Sequence, residues 1–289
     1  MIRLLNGSGC LDALTAPEVA RALDAFVTKT VTPLPREGNA PVRIAEVDGG
    51  MLNSIGLQNP GIERFVAEYL PRLRELGVPL WVSAGGFSAE DYGEVCAALD
   101  DDPAIETVEL NVSCPNVEEA ADTVAELVAS AREATTRTLY VKLSAAVPDI
   151  AELARAAESA GADGFTLVNT LRGLALDNEL RPRLGRGAGG LSGPALKHVA
   201  LAAVWACRGA TALPIVGLGG VMTGRDALEL VAAGANAVAL GTVLFADPDA
   251  PGRVRSELAD AVVSLGFSDA AEAIGVAHAS GGHLMTASN

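Results

Sequence analysis

The sequence is short of positive charge: 21 Lys and Arg face 36 Asp and Glu, for a formal net charge of −15 and a pI near 4.6. Such a surface repels phosphate backbones, which argues against nucleic-acid binding, and any small anion must be held by local donors. Cysteine is sparse and scattered, at Cys10, Cys96, Cys114 and Cys207, with no C-x-x-C pair that would suggest zinc, an iron–sulfur cluster or a redox disulfide. No metal site is expected, and reduced thiols in a cytoplasmic protein are the default. The chain opens without a basic stretch, apolar run and small-residue cleavage site, so no signal peptide is expected. Its most apolar stretch, residues 230–246, is broken by Gly234, Asn236 and Gly241. That falls short of the roughly 20 residues a membrane span needs, so no membrane association is expected.

What is present is apolar side chain. Hydrophobic residues make up 49% of 289, and the mean hydropathy is +0.30, which suits a packed globular chain rather than a disordered one. Eight short β-rich runs recur: residues 2–6, 25–30, 79–84, 107–112, 138–143, 164–169, 214–219 and 237–242. Longer Ala/Leu/Glu-rich stretches with helical spacing separate them, the alternation of βα units around a parallel sheet. Eight units predict a single α/β domain, a (β/α)8 TIM barrel over residues 1–289 with 281–289 as a frayed tail. An open doubly wound sheet is the alternative. Gly161 and Gly234 stand where two helices must stop before the next strand. Residues 172–193 read as one long Gly/Arg-rich connection, a candidate active-site loop.

In such barrels the C-terminal strand ends carry the chemistry. Here those ends are loaded with polar residues and glycine: Lys29 and Thr30, Asn111 and Cys114, Lys142, Asn169 and Thr170, Gly219 and Gly220, Gly241 and Thr242. A single lysine at a strand end is ordinarily a solvated terminus, but five consecutive ends of this kind facing one mouth point to a site. Glycine after the last two strands lets backbone N–H groups approach a phosphate with no Cβ in the way. The plainer alternative is that these glycines only turn the chain into a helix. Cys114, in NVSCPN, is flanked by Asn111, Ser113 and Asn116, a poor apolar pocket for a core thiol. As a thiolate it is a candidate nucleophile or base, and spacing does not choose between them. No histidine is placed to activate it, since His198 falls in a predicted helix and His278 and His283 lie near the tail, which weakens a Cys–His hydrolase reading.

NVSCPN is accompanied, in order, by KTVTPLPREGN, MLNSIGLQNPG, VKLS, GFTLVNT, GGLSGP, GLGGV and ALGT. Together they resemble the dihydroorotate dehydrogenases, FMN-dependent barrels that oxidise dihydroorotate to orotate in pyrimidine synthesis. Cysteine in NVSCPN is similar to the soluble class. LNSIGLQNPG is most like the catalytic subunit of the NAD-linked heteromeric members, whose second subunit carries FAD and a 2Fe–2S cluster on a homodimer core that makes a heterotetramer. The resemblance implies that Cys114 is the general base for the C5 proton while hydride leaves C6 for flavin N5. It implies that Lys29, Asn53, Asn111, Asn116, Asn169 and Thr170, with backbone of Ile55, Gly56 and Leu57, hold the substrate. Ser8, Lys29, Thr30, Asn111, Lys142, Val168, Gly193, Gly219, Gly220, Gly241 and Thr242 are the implied FMN contacts, Lys142 lying near the flavin pyrimidine edge, where its charge would favour the anionic reduced form. Ser83 stands where relatives more often have asparagine, and the stretch from Cys114 to Lys142 is shorter than theirs. Within the same chemistry, a dihydropyrimidine dehydrogenase-like domain acting on uracil or thymine derivatives is the alternative. More distant are a flavin-free phosphosugar isomerase barrel and a non-catalytic assembly subunit.

Overall fold

The computed structural model describes residues 1–113 and 120–279. In chain order, β1 (Arg3–Asn6) and β2 (Phe26–Val27) open a barrel, and β3 (Ile44–Val47) and β4 (Gly50–Asn53) leave it as a hairpin. Next, β5 (Leu80–Ala84), β6 (Ile105–Asn111), β7 (Thr138–Leu143) and β8 (Gly164–Leu167) continue it. After them β9 (Leu171–Gly173) and β10 (Gly189–Ser192) leave again, and β11 (Ile215–Leu218) and β12 (Ala237–Leu240) complete it. The barrel strands pair in parallel in the order β1-β12-β11-β8-β7-β6-β5-β2. All eight expected runs are therefore strands of one (β/α)8 barrel, although the second is shortened to Phe26–Val27, leaving Lys29 and Thr30 in the loop beyond it.

The ring closes between β1 and β2 through a single bridge, Leu5 to Ala25, so side-chain bonds substitute for missing rungs. Buried Asn6 does this with both ends of its amide: Nδ2 donates to the Val27 carbonyl (2.7 Å) and Oδ1 accepts from the Val27 N–H (2.8 Å).

Strand side chains alternate between two buried clusters. Leu5, Ala25, Val27, Trp81, Val216, Leu218 and Ala239 fill the barrel interior, while Leu4, Phe26, Val82, Leu110, Val141 and Val238 pack outward against the helices. The helices start where capping chemistry begins them: Ser88 before Ala89–Asp100, Asp149 before Ile150–Ser159, and a Thr223/Asp226 capping box before Gly224–Ala233. Gly161 (φ +106°) and Gly234 (φ +125°) end their helices at the expected places.

One feature departs from the expectation. Residues 172–193 are not a single loop: they carry most of β9 and β10, which join β3 and β4 in a four-stranded antiparallel sheet of order β3-β4-β10-β9 over a small cluster of Ala45, Leu52 and Leu184. Thr242 Oγ1 donates to Ser192 Oγ at 2.8 Å, or accepts from it, which ties this sheet to the end of β12.

Candidate functional site

The strand alternation aims specific polar groups into the barrel mouth. On β6, Val108 and Leu110 face outward, so Asn111 faces in; on β7, Val141 and Leu143 face outward, so Lys142 faces in. Lys142 is 5% exposed, and its Nζ donates to Ser8 Oγ at 3.0 Å, joining two of the expected cofactor residues. Lys29 lies across Gly9, its Cδ 2.8 Å from where a Cβ there would stand.

Beside this pair runs a chain of neutral donors and acceptors. Asn169 Nδ2 donates to Asn111 Oδ1 (3.1 Å), Asn111 Nδ2 donates to Thr30 Oγ1 (3.1 Å), and the Thr30 hydroxyl pairs with that of buried Ser83 (3.0 Å). Three expected residues are thus locked together, and Ser83 braces Thr30. Asn169 Oδ1 also accepts from the Thr170 N–H. Sequence reasoning missed Tyr92, a fully buried side chain on the helix Ala89–Asp100 whose hydroxyl donates to the Asn111 carbonyl at 2.7 Å. A tyrosine among core aliphatics gives no signal of that partner.

The antiparallel sheet delivers Asn53 to the same mouth. Its Nδ2 donates to the Gly190 carbonyl (3.3 Å), and Gly190 is pressed against Thr170, whose Oγ1 lies 2.2 Å from where a Cβ would be. The following loop commits its carbonyls internally: Ile55 O accepts from the Asn39 N–H, Gly56 O from Arg36 Nε and Leu57 O from Asn59 Nδ2.

A cleft at the ends of β11 and β12 gathers Val168, Gly193, Gly219, Gly220, Gly241 and Thr242, with Leu218 and Val243 beside them. Gly219 (φ +137°) and Gly220 (φ +72°) need glycine for backbone reasons, and a Cβ on Gly220 would fall 2.7 Å from the Lys197 backbone nitrogen. Gly193 is packed on Gly50 Cα at 2.6 Å from its own Cβ position. Gly241 differs: the nearest protein atom to its Cβ position is Leu218 Cδ1 at 3.6 Å, so the protein itself does not require glycine there.

Cys114 and Asn116 lie outside the described residues, as does the expected tail at 281–289. Burial pushes the Cys96 and Cys207 thiols up to about 12, which makes them inert packing groups. Cys10 is another matter. The residue is partly exposed, but its thiol is enclosed at the mouth, where desolvation raises its pKa against the opposing pull of Lys142 and Lys29. His198 and His278 sit on outer helices, His278 stacked on Trp205.

Chemically, the mouth offers a buried cation, a row of amides that both donate and accept, and a glycine-lined backbone cradle. Comparison with known proteins identifies the family. The dihydroorotate dehydrogenase family model matches residues 3–262. The chain is 45% identical over 269 residues to a Desulforudis audaxviator protein named dihydroorotate dehydrogenase B (NAD(+)), catalytic subunit, covering 90% of this chain and 87% of that one. A Geobacillus kaustophilus protein of the same name is 40% identical over a 295-residue alignment, covering 98% and 94%. Among solved structures, DHODH from Eimeria tenella in complex with ferulenol superposes with a TM-score of 0.81 at 22% identity, covering 96% of this chain and 85% of that chain, a likeness of fold. No helix among the described residues is long and apolar enough to cross a membrane.

Proposed function

Because the chain belongs to the dihydroorotate dehydrogenase family, we propose that it oxidises dihydroorotate to orotate with bound FMN, in pyrimidine synthesis. The observation that carries this reading is the convergence of Lys142, the Thr30–Asn111–Asn169 chain and the glycine cleft at one mouth. These residues fit FMN: a phosphate needs backbone donors unobstructed by a Cβ, as at Gly241, whose Cβ position meets no protein atom nearer than 3.6 Å, and a flavin pyrimidine edge needs a cation, as at Lys142. FMN held there would supply the acceptor for the hydride that leaves C6 of dihydroorotate.

The protein's own groups do the rest. Cys114 removes the C5 proton as a thiolate. Asn53, Asn111, Asn116 and Asn169 orient the ring through paired donors and acceptors, with Thr170 beside them. The backbone of Ile55, Gly56 and Leu57 would lie alongside the substrate, and because their carbonyls are bonded within the loop, N–H groups are what it would offer the carboxylate. Lys29 stands between substrate and cofactor. Ser8, Thr30 and Val168 would border the flavin, and Gly193, Gly219, Gly220, Gly241 and Thr242 would hold its phosphate end. The whole chain acts as one FMN-binding domain in the cytoplasm, the homodimer core of a heterotetramer. Relatives named as the catalytic subunit of an NAD(+)-linked enzyme support a separate electron-transfer subunit carrying FAD and a 2Fe–2S cluster.

The test is the chain purified alone. It is expected to be yellow, to bleach with dihydroorotate and to reduce NAD+ poorly until the partner is supplied. Rapid NAD+ reduction by the single chain would remove the partner. Bleaching by dihydrouracil in place of dihydroorotate would reassign the substrate to the dihydropyrimidines, and a colourless chain that takes up no FMN would leave the phosphosugar isomerase alternative.

A further inference from the structure

Glu109 is a carboxylate inside the barrel that the proposed chemistry leaves unused. Its neighbours Val108 and Leu110 pack outward, so it points inward on the same row as Asn111, one step deeper. It is 2% exposed. Its Oε2 accepts from Thr166 Oγ1 at 2.8 Å, while Oε1 is buried with no hydrogen-bond partner among the described residues. Thr166 stands opposite Lys142 in the register of β7 and β8, whereas Glu109 itself stands opposite Tyr140. The Thr166 bond therefore joins Glu109 across β7 to the residue paired with Lys142. Lys142 is held by Ser8. Burial raises the Cys10 thiol's pKa, Lys142 and Lys29 oppose that rise and Glu109 adds to it, so all three charges lie within electrostatic reach of one thiol at the mouth.

A carboxylate in such a place is costly to desolvate. If it served only to join β6 to β8, an uncharged amide would accept the same bond from Thr166. The charge is what an amide could not supply. Resting on the FMN reading above, we propose that Glu109 is a positioning residue whose fixed negative charge, set against Lys142, holds the reduction potential of the bound flavin down. A negative charge near the acceptor disfavours adding electrons to it. The flavin then takes electrons from dihydroorotate less completely and gives them more readily to a following acceptor.

The test compares the FMN-loaded parent with Glu109→Gln and Glu109→Asp by redox titration. Glu109→Gln is expected to move the reduction equilibrium toward reduced flavin by about tenfold or more, a shift of about 30 mV for a two-electron couple. Glu109→Asp keeps the charge and should stay near the parent. A Glu109→Gln potential equal to or below that of the parent overturns the inference, because a purely structural bridge would leave the potential where it was. Should Glu109→Gln fail to fold, the infrared difference spectrum of the unmodified protein on flavin reduction, with ¹³C-labelled glutamate, decides. A perturbed ionised-carboxylate band supports the inference; a protonated-acid band, or no glutamate band at all, overturns it. A parent that binds no FMN overturns the functional reading itself, which distinguishes that failure from an unmoved potential in a flavin-loaded variant.

Discussion

Alanine at Gly220 and at Gly241 separates what the fold needs from what the ligand needs. At Gly220 the backbone has φ +72°, and a Cβ would lie 2.6–2.7 Å from Lys197 backbone and Cβ atoms. A left-handed backbone costs a residue with a Cβ about 1–2 kcal/mol, and forcing the methyl against a helix start adds about 1–3 kcal/mol of overpacking. The sum, about 2–5 kcal/mol, lowers Tm by about 4–20 °C at the roughly 2–4 °C per kcal/mol typical of large domains. At Gly241 a Cβ meets only Leu218 Cδ1 at 3.6 Å and Cys10 Sγ at 3.8 Å, ordinary contact distances. Gly241→Ala should therefore melt like the parent. Its methyl nevertheless stands at the cleft, and displacing one charge-assisted hydrogen bond, about 1.5–3 kcal/mol, should weaken FMN binding by about tenfold or more. Circular-dichroism melting of the flavin-stripped chain reads the first effect, and flavin fluorescence titration reads the second. Gly241→Ala binding FMN as tightly as the parent would refute the cradle at that turn. Gly220→Ala melting like the parent would refute the steric reasoning.

Other perturbations act on other parts of the account. Asn111→Ala strips partners from both Thr30 and Asn169, so orotate should bind about tenfold to a hundredfold more weakly, measured by its perturbation of the flavin spectrum. Cys114→Ser offers a far weaker acid of similar size, so flavin reduction by dihydroorotate at neutral pH should fall by about 10²-fold or more while orotate binding survives; a rate equal to the parent's would make Cys114 a structural thiol. Burial works to raise the Asp226 and Glu229 carboxyls, but the Lys197 ammonium and neighbouring donors outweigh it and hold both below their ordinary 3.8 and 4.5, while those carboxylates hold Lys197 above 10.5. The carboxylates' stabilisation is complete above their ordinary values and is lost as pH falls through the lower folded ones. The lysine's is complete below 10.5 and is lost as pH rises through its higher folded value. Melting temperature against pH should show an acid limb that is shallower in Asp226→Asn, and an unchanged limb would count against the network.

The barrel was legible because parallel strands buried on both faces appear as short apolar runs, such as residues 138–143 and 237–242, and because Gly161 and Gly234 mark helix ends. The antiparallel sheet was not. Its strands are three or four residues long and carry Gly50, Gly173, Gly189 and Gly190, so neither length nor alternation marks them. The strand-end rule brought Lys142, Asn111, Asn169 and the late glycines to one mouth, but it supplied no partners: Ser8 for Lys142 and Tyr92 for Asn111 come from distant segments. Glu109 left no distinct trace: the strand Ile105–Asn111 also carries Glu106, Thr107 and Asn111, and only the fold shows that Glu106 is exposed while Glu109 is the buried carboxylate that calls for a reason.

Whether this mouth oxidises dihydroorotate on bound FMN is decided by anaerobic titration of the purified chain with dihydroorotate, following flavin absorbance and orotate formation together. The yellow colour is expected to bleach as equimolar orotate appears. A flavin that stays oxidised in excess dihydroorotate, or bleaches without forming orotate, would contradict it.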